Sequence, residues 1–156
     1  MIKYQSVVLI CEDVRVSLAF YQKLFNLEVE LDIGGLVNFK EGISLWGQKI
    51  ASELVYNGTT PSAPVDRPRQ ELYFETDDID GFFEILQRES IRCLHPIQKA
   101  PWHQRTVRFF DPDQNLIEVG ESMEEVIRRF EKEGKTTDQI AELTMMPIDV
   151  ISTILK

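Results

Sequence analysis

Glu71-Leu72-Tyr73-Phe74-Glu75-Thr76-Asp77-Asp78-Ile79 alternates apolar and polar side chains as a strand does, and then offers an acidic helix cap. The helical run Phe82-Phe83-Glu84-Ile85-Leu86-Gln87 follows. The same pattern stands near the start of the chain, where Ser6-Val7-Val8-Leu9-Ile10-Cys11 leads through Glu12-Asp13-Val14 into a helical stretch from Ser17 to Phe25. Laid over each other, Asp13 meets Asp78, Val14 meets Ile79, Leu18 meets Phe83 and Gln22 meets Gln87. A strand, cap and helix that recur imply two copies of one module. The concave space between the copies is where a ligand is expected.

Working outward, the first copy continues with an alternating strand, Leu27 to Leu31, a break at Gly34-Gly35, and two short strands, Leu36-Val37-Asn38-Phe39 and Ile43-Ser44-Leu45-Trp46, joined by a turn at Lys40-Glu41-Gly42. Its first strand is read as 3–11, with Asp13 as the N-cap of the helix. Residues 57–69, rich in Gly, Thr and Pro, read as the linker between the copies. The second copy begins at about residue 70. After its helix it offers a short strand at Arg92-Cys93-Leu94, a loop through Pro96 and Pro101, a strand from Arg105 to Phe110, a turn Asp111-Pro112-Asp113-Gln114-Asn115, and a closing strand Leu116-Ile117-Glu118-Val119. In that turn Asp111 and Pro112 suit the first positions, and Asn115 tolerates left-handed geometry. Each copy is thus a βαβββ unit.

Strand parity places side chains. Leu72, Phe74 and Thr76 share one face, expected to pack on the helix bearing Phe82, Phe83 and Leu86; Glu71, Tyr73 and Glu75 share the other. By the same alternation Glu118 faces a cavity while Ile117 and Val119 face helix, so Glu71 and Glu118 are expected to approach each other. Arg105 and Arg108 fall on opposite faces of one strand, so one at most enters the cavity, to pair with a glutamate or clamp an anionic ligand. Trp46, Tyr73 and Trp102 are candidate aromatic contacts, and Phe39 reads as core. His103 stands either as a general acid or base or as the edge of a lid; His95, next to Pro96, reads as loop.

Past Gly120 the strand signal stops. Met123, Val126, Ile127 and Phe130 have helical spacing, Gly134 suits a helix stop, Thr136 with Gln139 suits a capping box, and Pro147 suits the start of a last helix carrying Val150, Ile151 and Leu155. Three short helices resemble a helix-turn-helix. Eight acidic residues against five basic ones in 121–156 make a poor partner for DNA, so packing or a dimer contact is the favoured role.

Composition bounds the rest. A chain of 156 residues holds one sizeable core and is short for two ordinary domains. The net charge of -9 argues against nucleic acid and anionic membrane surfaces. The opening residues lack the pattern of a signal peptide, and no apolar run approaches membrane-spanning length. Cys11 and Cys93, two lone thiols in apolar contexts, suit a reducing compartment, and a cytoplasmic location is expected.

Two βαβββ units, the acidic caps and the string Arg108-Phe-Phe-Asp-Pro-Asp-Gln-Asn-Leu-Ile-Glu118-Val resemble the glyoxalase / bleomycin-resistance / extradiol-dioxygenase superfamily, also called vicinal oxygen chelate. The stretch Pro101-Trp102-His103-Gln104-Arg105 resembles a recurrent string of uncharacterised members. The resemblance covers 1–120, with modules at about 2–56 and 70–120, and leaves 121–156 as a helical extension. It implies an α+β fold in which the modules form a cupped, eight-stranded mixed sheet with a ligand cavity. In metal-using members one side chain from the first and one from the last strand of each module hold a divalent ion. Those positions here carry Ser6, Ser44, Glu71 and Glu118, so two carboxylates remain of four. Glu75 and His103 are candidate third ligands.

Three readings follow. One is a small-molecule-binding protein similar to the bleomycin-resistance branch, with a degenerate metal site. The second is a lyase, isomerase or dioxygenase that uses a divalent metal (Mn, Ni, Zn, Mg or Fe), with Glu118, Glu71 and His103 as catalytic candidates and Trp46, Tyr73, Glu75, Trp102, Arg105 and Arg108 as ligand contacts. The third is an interaction module acting through the C-terminal helices. A homodimer is expected, because cupped sheets leave edges to cover.

Overall fold

The computed structural model describes residues 5–54 and 71–156. The expected 57–69 linker, the start of the second module at residue 70 and the first residues of the first strand lie outside these. By contacts the chain divides into two compact units, Met1–Arg69 with Asp111–Asn115, and Gln70–Phe110 with Leu116–Lys156.

In the first unit β1 (Val7–Cys11) leads to α1 (Val14–Phe25), then β2 (Val29–Asp32), β3 (Leu36–Phe39), β4 (Ile43–Gly47) and a short α2 (Gln48–Leu54). Asp13 starts α1 by accepting hydrogen bonds from the free amides of Arg15 and Val16. Asn26, in the left-handed conformation, ends it. The sheet has the order β1-β4-β3-β2, with β1 parallel to β4 and the other pairs antiparallel. α1 packs on β3 and β4 and buries Tyr21 with Leu9, Val37, Phe39 and Leu45. Phe39 is core, as its sequence suggested.

The second unit repeats this plan. β5 (Glu71–Thr76), α3 (Ile79–Arg88), β6 (Gln98–Lys99), β7 (Arg105–Phe110) and β8 (Leu116–Glu121) form a sheet of order β5-β8-β7-β6, again with only the first pair parallel. Asp78 caps α3 through the amide of Gly81, as Asp13 caps α1. α3 packs on β7 and β8 over Leu86, Val107, Phe109 and Ile117. The eight strands are therefore two four-stranded mixed sheets. Arg92-Cys93-Leu94 makes one bridge, Cys93 to Phe109, and no strand; His95-Pro96 follows at once, and proline has no amide to extend a ladder.

The Asp111–Asn115 turn joins β7 to β8 but clusters with the first unit. Asp111 Oδ1 accepts from the amides of Asp113 and Asn115, and its Oδ2 accepts from the Tyr21 hydroxyl at 2.8 Å. Asp113 in turn accepts from the Ser17 hydroxyl and the Glu12 amide. The left-handed residue of this turn is Gln114 (φ 65°), one position before Asn115.

β8 runs into three helices, α4 (Met123–Lys132), α5 (Thr137–Thr144) and α6 (Ile148–Ile154). Ser122 caps α4, Thr136 and Gln139 form the expected capping box, and Gly134 takes a positive φ after α4. Val126, Ile127, Phe130, Ile140 and Ile151 give the extension a buried core of its own. Among the described residues no helix is long and apolar enough to cross a membrane.

Candidate functional site

β5 alternates as parity required, with Glu71, Tyr73 and Glu75 exposed and Leu72, Phe74 and Thr76 partly buried. Its pairing with β8 sets Tyr73 opposite Glu118, and the pairing of β7 with β8 sets Arg108 opposite Glu118. Three adjacent strands thereby bring Glu71, Arg108 and Glu118 to one place. Arg108 Nε donates to Glu71 Oε2 at 3.0 Å, and Arg108 Nη2 donates to Glu118 Oε2. The guanidinium bridges both carboxylates through separate nitrogens, a charge-assisted geometry available to arginine and not to lysine.

The two carboxylates are unequal. Burial raises Glu118 above the ordinary carboxyl range, and its hydrogen bond with Glu71 adds to this against the pull of Arg108. At Glu71 burial also opposes ionisation, but the hydrogen bonds with Arg108 and Glu118 outweigh it, and Glu71 sits low.

Beside them runs a second polar chain. The Trp102 Nε1 donates to Gln104 Oε1 at 2.9 Å, the Gln104 amide donates to the Tyr73 oxygen and to the Glu121 carbonyl at 2.7 Å each, and the Tyr73 hydroxyl donates to Glu75 at 2.7 Å. Desolvation, then the hydrogen bond to Glu75, pushes the Tyr73 phenol up to about 12. Gly120 makes this possible, since a Cβ there would lie 2.8 Å from Gln104 Nε2 and 3.1 Å from the Tyr73 oxygen. Gln104 was not among the candidates. Its signal was parity, because Gln104 precedes Arg108 by four residues and so shares its face.

Glu71, Tyr73, Trp102, Gln104, Arg108 and Glu118 line one cavity of about 520 Å³ within the second unit. Met123, Thr144, Met145 and Met146 of the helical extension complete its wall.

Other candidates lie elsewhere. Arg105 donates to Asp80 and to the buried Glu121, which also accepts from Arg129, so it fastens α3 and α4 to β8. His103 takes a positive φ of 66°, stacks edge-on against Phe130, and lines a different cavity of about 410 Å³ with Lys135, Gln139 and Met145. Glu75 is engaged by Tyr73 and does not line the 520 Å³ cavity. Trp46 belongs to the first unit, where its indole nitrogen is buried with no hydrogen-bond partner among the described residues. Ser6 and Ser44 are joined by a hydrogen bond of 3.2 Å in that same unit.

Within the second unit Glu71 and Glu118 are two carboxylates already holding a fixed cation, and among the described residues no three His, Cys, Asp or Glu side chains cluster as a ligand set.

The model of the glyoxalase-like domain matches residues 4–124. The uncharacterized protein YraH of Bacillus subtilis is 25% identical over 117 residues, covering 71% of this chain and 91% of that protein. A protein of unknown function from Agrobacterium tumefaciens has a similar crystal structure, with a TM-score of 0.67, 29% identity, and coverage of 78% of this chain and 95% of that one. The lactoylglutathione lyase of Agrobacterium tumefaciens gives 0.59 and 27%, covering 76% and 92%. These three relatives are thus covered over nine-tenths of their length, and the family model ends at residue 124 of this chain.

Proposed function

The chain belongs to the glyoxalase-like domain family, and on that footing we propose that it binds a small organic molecule without a metal, in the cavity floored by Glu71, Arg108 and Glu118. One observation carries this: a single guanidinium engages both carboxylates that the family's metal-using members would turn on an ion. A divalent cation would have to displace a fixed positive charge. The ligand class follows from the lining. Tyr73 and Trp102, about half exposed at 50% and 40%, offer aromatic faces to an apolar or aromatic body. The two glutamates exceed the single arginine in charge capacity, so a basic or hydrogen-bond-donating group belongs beside them.

Because Glu118 holds its proton above the ordinary range, a basic ligand that pairs with its carboxylate must release that proton. Affinity therefore rises with pH through the Glu118 titration and levels off above it. Calorimetric titration with Mn, Ni and Zn ions and, separately, with the benzothiazolium cation thioflavin T tests the proposal. Binding of the organic cation, weakened by Glu118→Gln, is the expected result. Tight, stoichiometric metal binding abolished by Glu118→Gln would sink it and revive the metal-dependent lyase reading, whose support is the likeness to a lactoylglutathione lyase at 27% identity.

A further inference from the structure

The wall of the cavity comes in part from outside the matched domain, which ends at residue 124. Thr144, Met145 and Met146 form the turn from α5 to α6. Three of the chain's four methionines, Met123, Met145 and Met146, line this one space. The turn is held firmly. The Thr144 hydroxyl donates to the Ile140 carbonyl at 2.6 Å and accepts from the Met146 amide, and Pro147 follows directly. Met146 packs against the extension's buried core.

Met145 is the anomaly. It is the C-cap of α5 in the left-handed conformation (φ 59°), a position where glycine is favoured because it has no Cβ to crowd the carbonyl. The residue is 71% exposed, the largest exposure among the described large apolar residues. It also borders both the 520 Å³ cavity and the 410 Å³ cavity of His103 and Lys135. Neither local conformation nor core packing accounts for a methionine there. A ligand does, since thioethers are polarizable, adapt their shape, and make favourable contacts with aromatic rings.

We propose that the α5–α6 turn is the specificity-determining wall of the site, with Met145 and Met146 laying their thioethers on the aromatic body of a ligand whose basic end meets Glu71 and Glu118. This rests on the cavity being a ligand site, as argued above, and adds that the helical extension selects the ligand. The other two faces of the ligand are then met by Tyr73 and Trp102.

The test uses the full chain with Trp46→Phe, which leaves Trp102 as the sole tryptophan and so reports binding in this cavity. Thioflavin T is titrated against Trp102 fluorescence. Met145→Gly with Met146→Ala is the wall variant, and glycine suits the left-handed position, so the fold is expected to persist by circular dichroism. Losing two sulfur–aromatic contacts is expected to weaken binding about tenfold. Affinity within about twofold of the parent, with Glu118→Gln still impaired, would overturn the wall while sparing the cavity. Ile148→Ala, exposed on α6 and away from the lining, is the control; an equal loss there would overturn the proposal by making the effect one of general packing. If Trp102 does not respond in the parent, the cavity reading fails and the wall falls with it.

Discussion

The two modules share one strand order and differ in what they place on equivalent rungs. In the first, Ser44 sits opposite Val8 on one side and Asn38 on the other. In the second, Glu118 sits opposite Tyr73 and Arg108. Ser6 stands where the second module has Glu71, and Trp46 stands where it has Gly120, counted from the same rungs. Duplicating a βαβββ unit reproduces backbone and core, because both depend on apolar periodicity and caps. It does not reproduce chemistry, which depends on a few face positions free to change. Here one copy carries Glu71, Arg108 and Glu118 where the other carries the small neutral Ser6, Asn38 and Ser44.

That asymmetry is open to attack, most strongly at Arg108. Arg108→Met leaves the buried Glu118 and the partly buried Glu71 facing each other without a cation, at a cost of about 2–4 kcal/mol at neutral pH. Its counterpart change Asn38→Ala costs under about 1 kcal/mol. Urea denaturation of both variants measures the difference; equal losses would erase the distinction between the modules. The Arg108→Met penalty shrinks in acid, where the unpaired carboxylates take up protons.

Next in size is Glu121, buried and held by Arg105 and Arg129. Burial opposes its ionisation, but the two arginines outweigh it and hold it below the ordinary range. A depressed carboxylate contributes stability above its unfolded value and loses it as pH falls through the folded one. Glu121→Gln, which removes the carboxylate shared by Arg105 and Arg129, is expected to cost about 2–3 kcal/mol at neutral pH and to flatten that acid-side loss. Arg15→Ala in the first module removes an exposed pair with Asp32, and no measurable change is expected in the same denaturation series.

Smaller than the Glu121 effect is that of Gly120→Ala. Its methyl group would push the Gln104 amide off Tyr73 and the Glu121 carbonyl, costing about 1–2 kcal/mol and loosening Trp102, visible as a red shift of its emission. The least effect on stability separates the thiols. Burial, more than any neighbour, pushes the Cys11 thiol up to about 12, so native protein at pH 8 is expected to leave it unlabelled by iodoacetamide until global unfolding. Cys93, in the second unit and only partly buried, is expected to react first. Equal rates would mean that the first module opens as readily as the second.

Much of this fold was legible in residues alone. Asp13 and Asp78 announced two helix starts, Thr136 with Gln139 announced a third, and alternation in 71–76 put Glu71 and Tyr73 on one face. These are local signals, decided by a side chain and the amides within one turn of it, or by the period of a strand. The same alternation separated Arg105 from Arg108 and brought Glu118 toward Glu71. What stayed hidden was partnership across distance. No local pattern says that Arg108 satisfies both glutamates, that Gly120 makes room for Gln104, that Glu121 gathers two arginines, or that the turn at Met145 reaches the cavity of β5 and β8. Periodicity decides which face a side chain takes; register between strands and the path of the last helices decide what it meets there, because hydrogen bonds and packing act between residues far apart in the chain and are settled only when the whole unit closes around them.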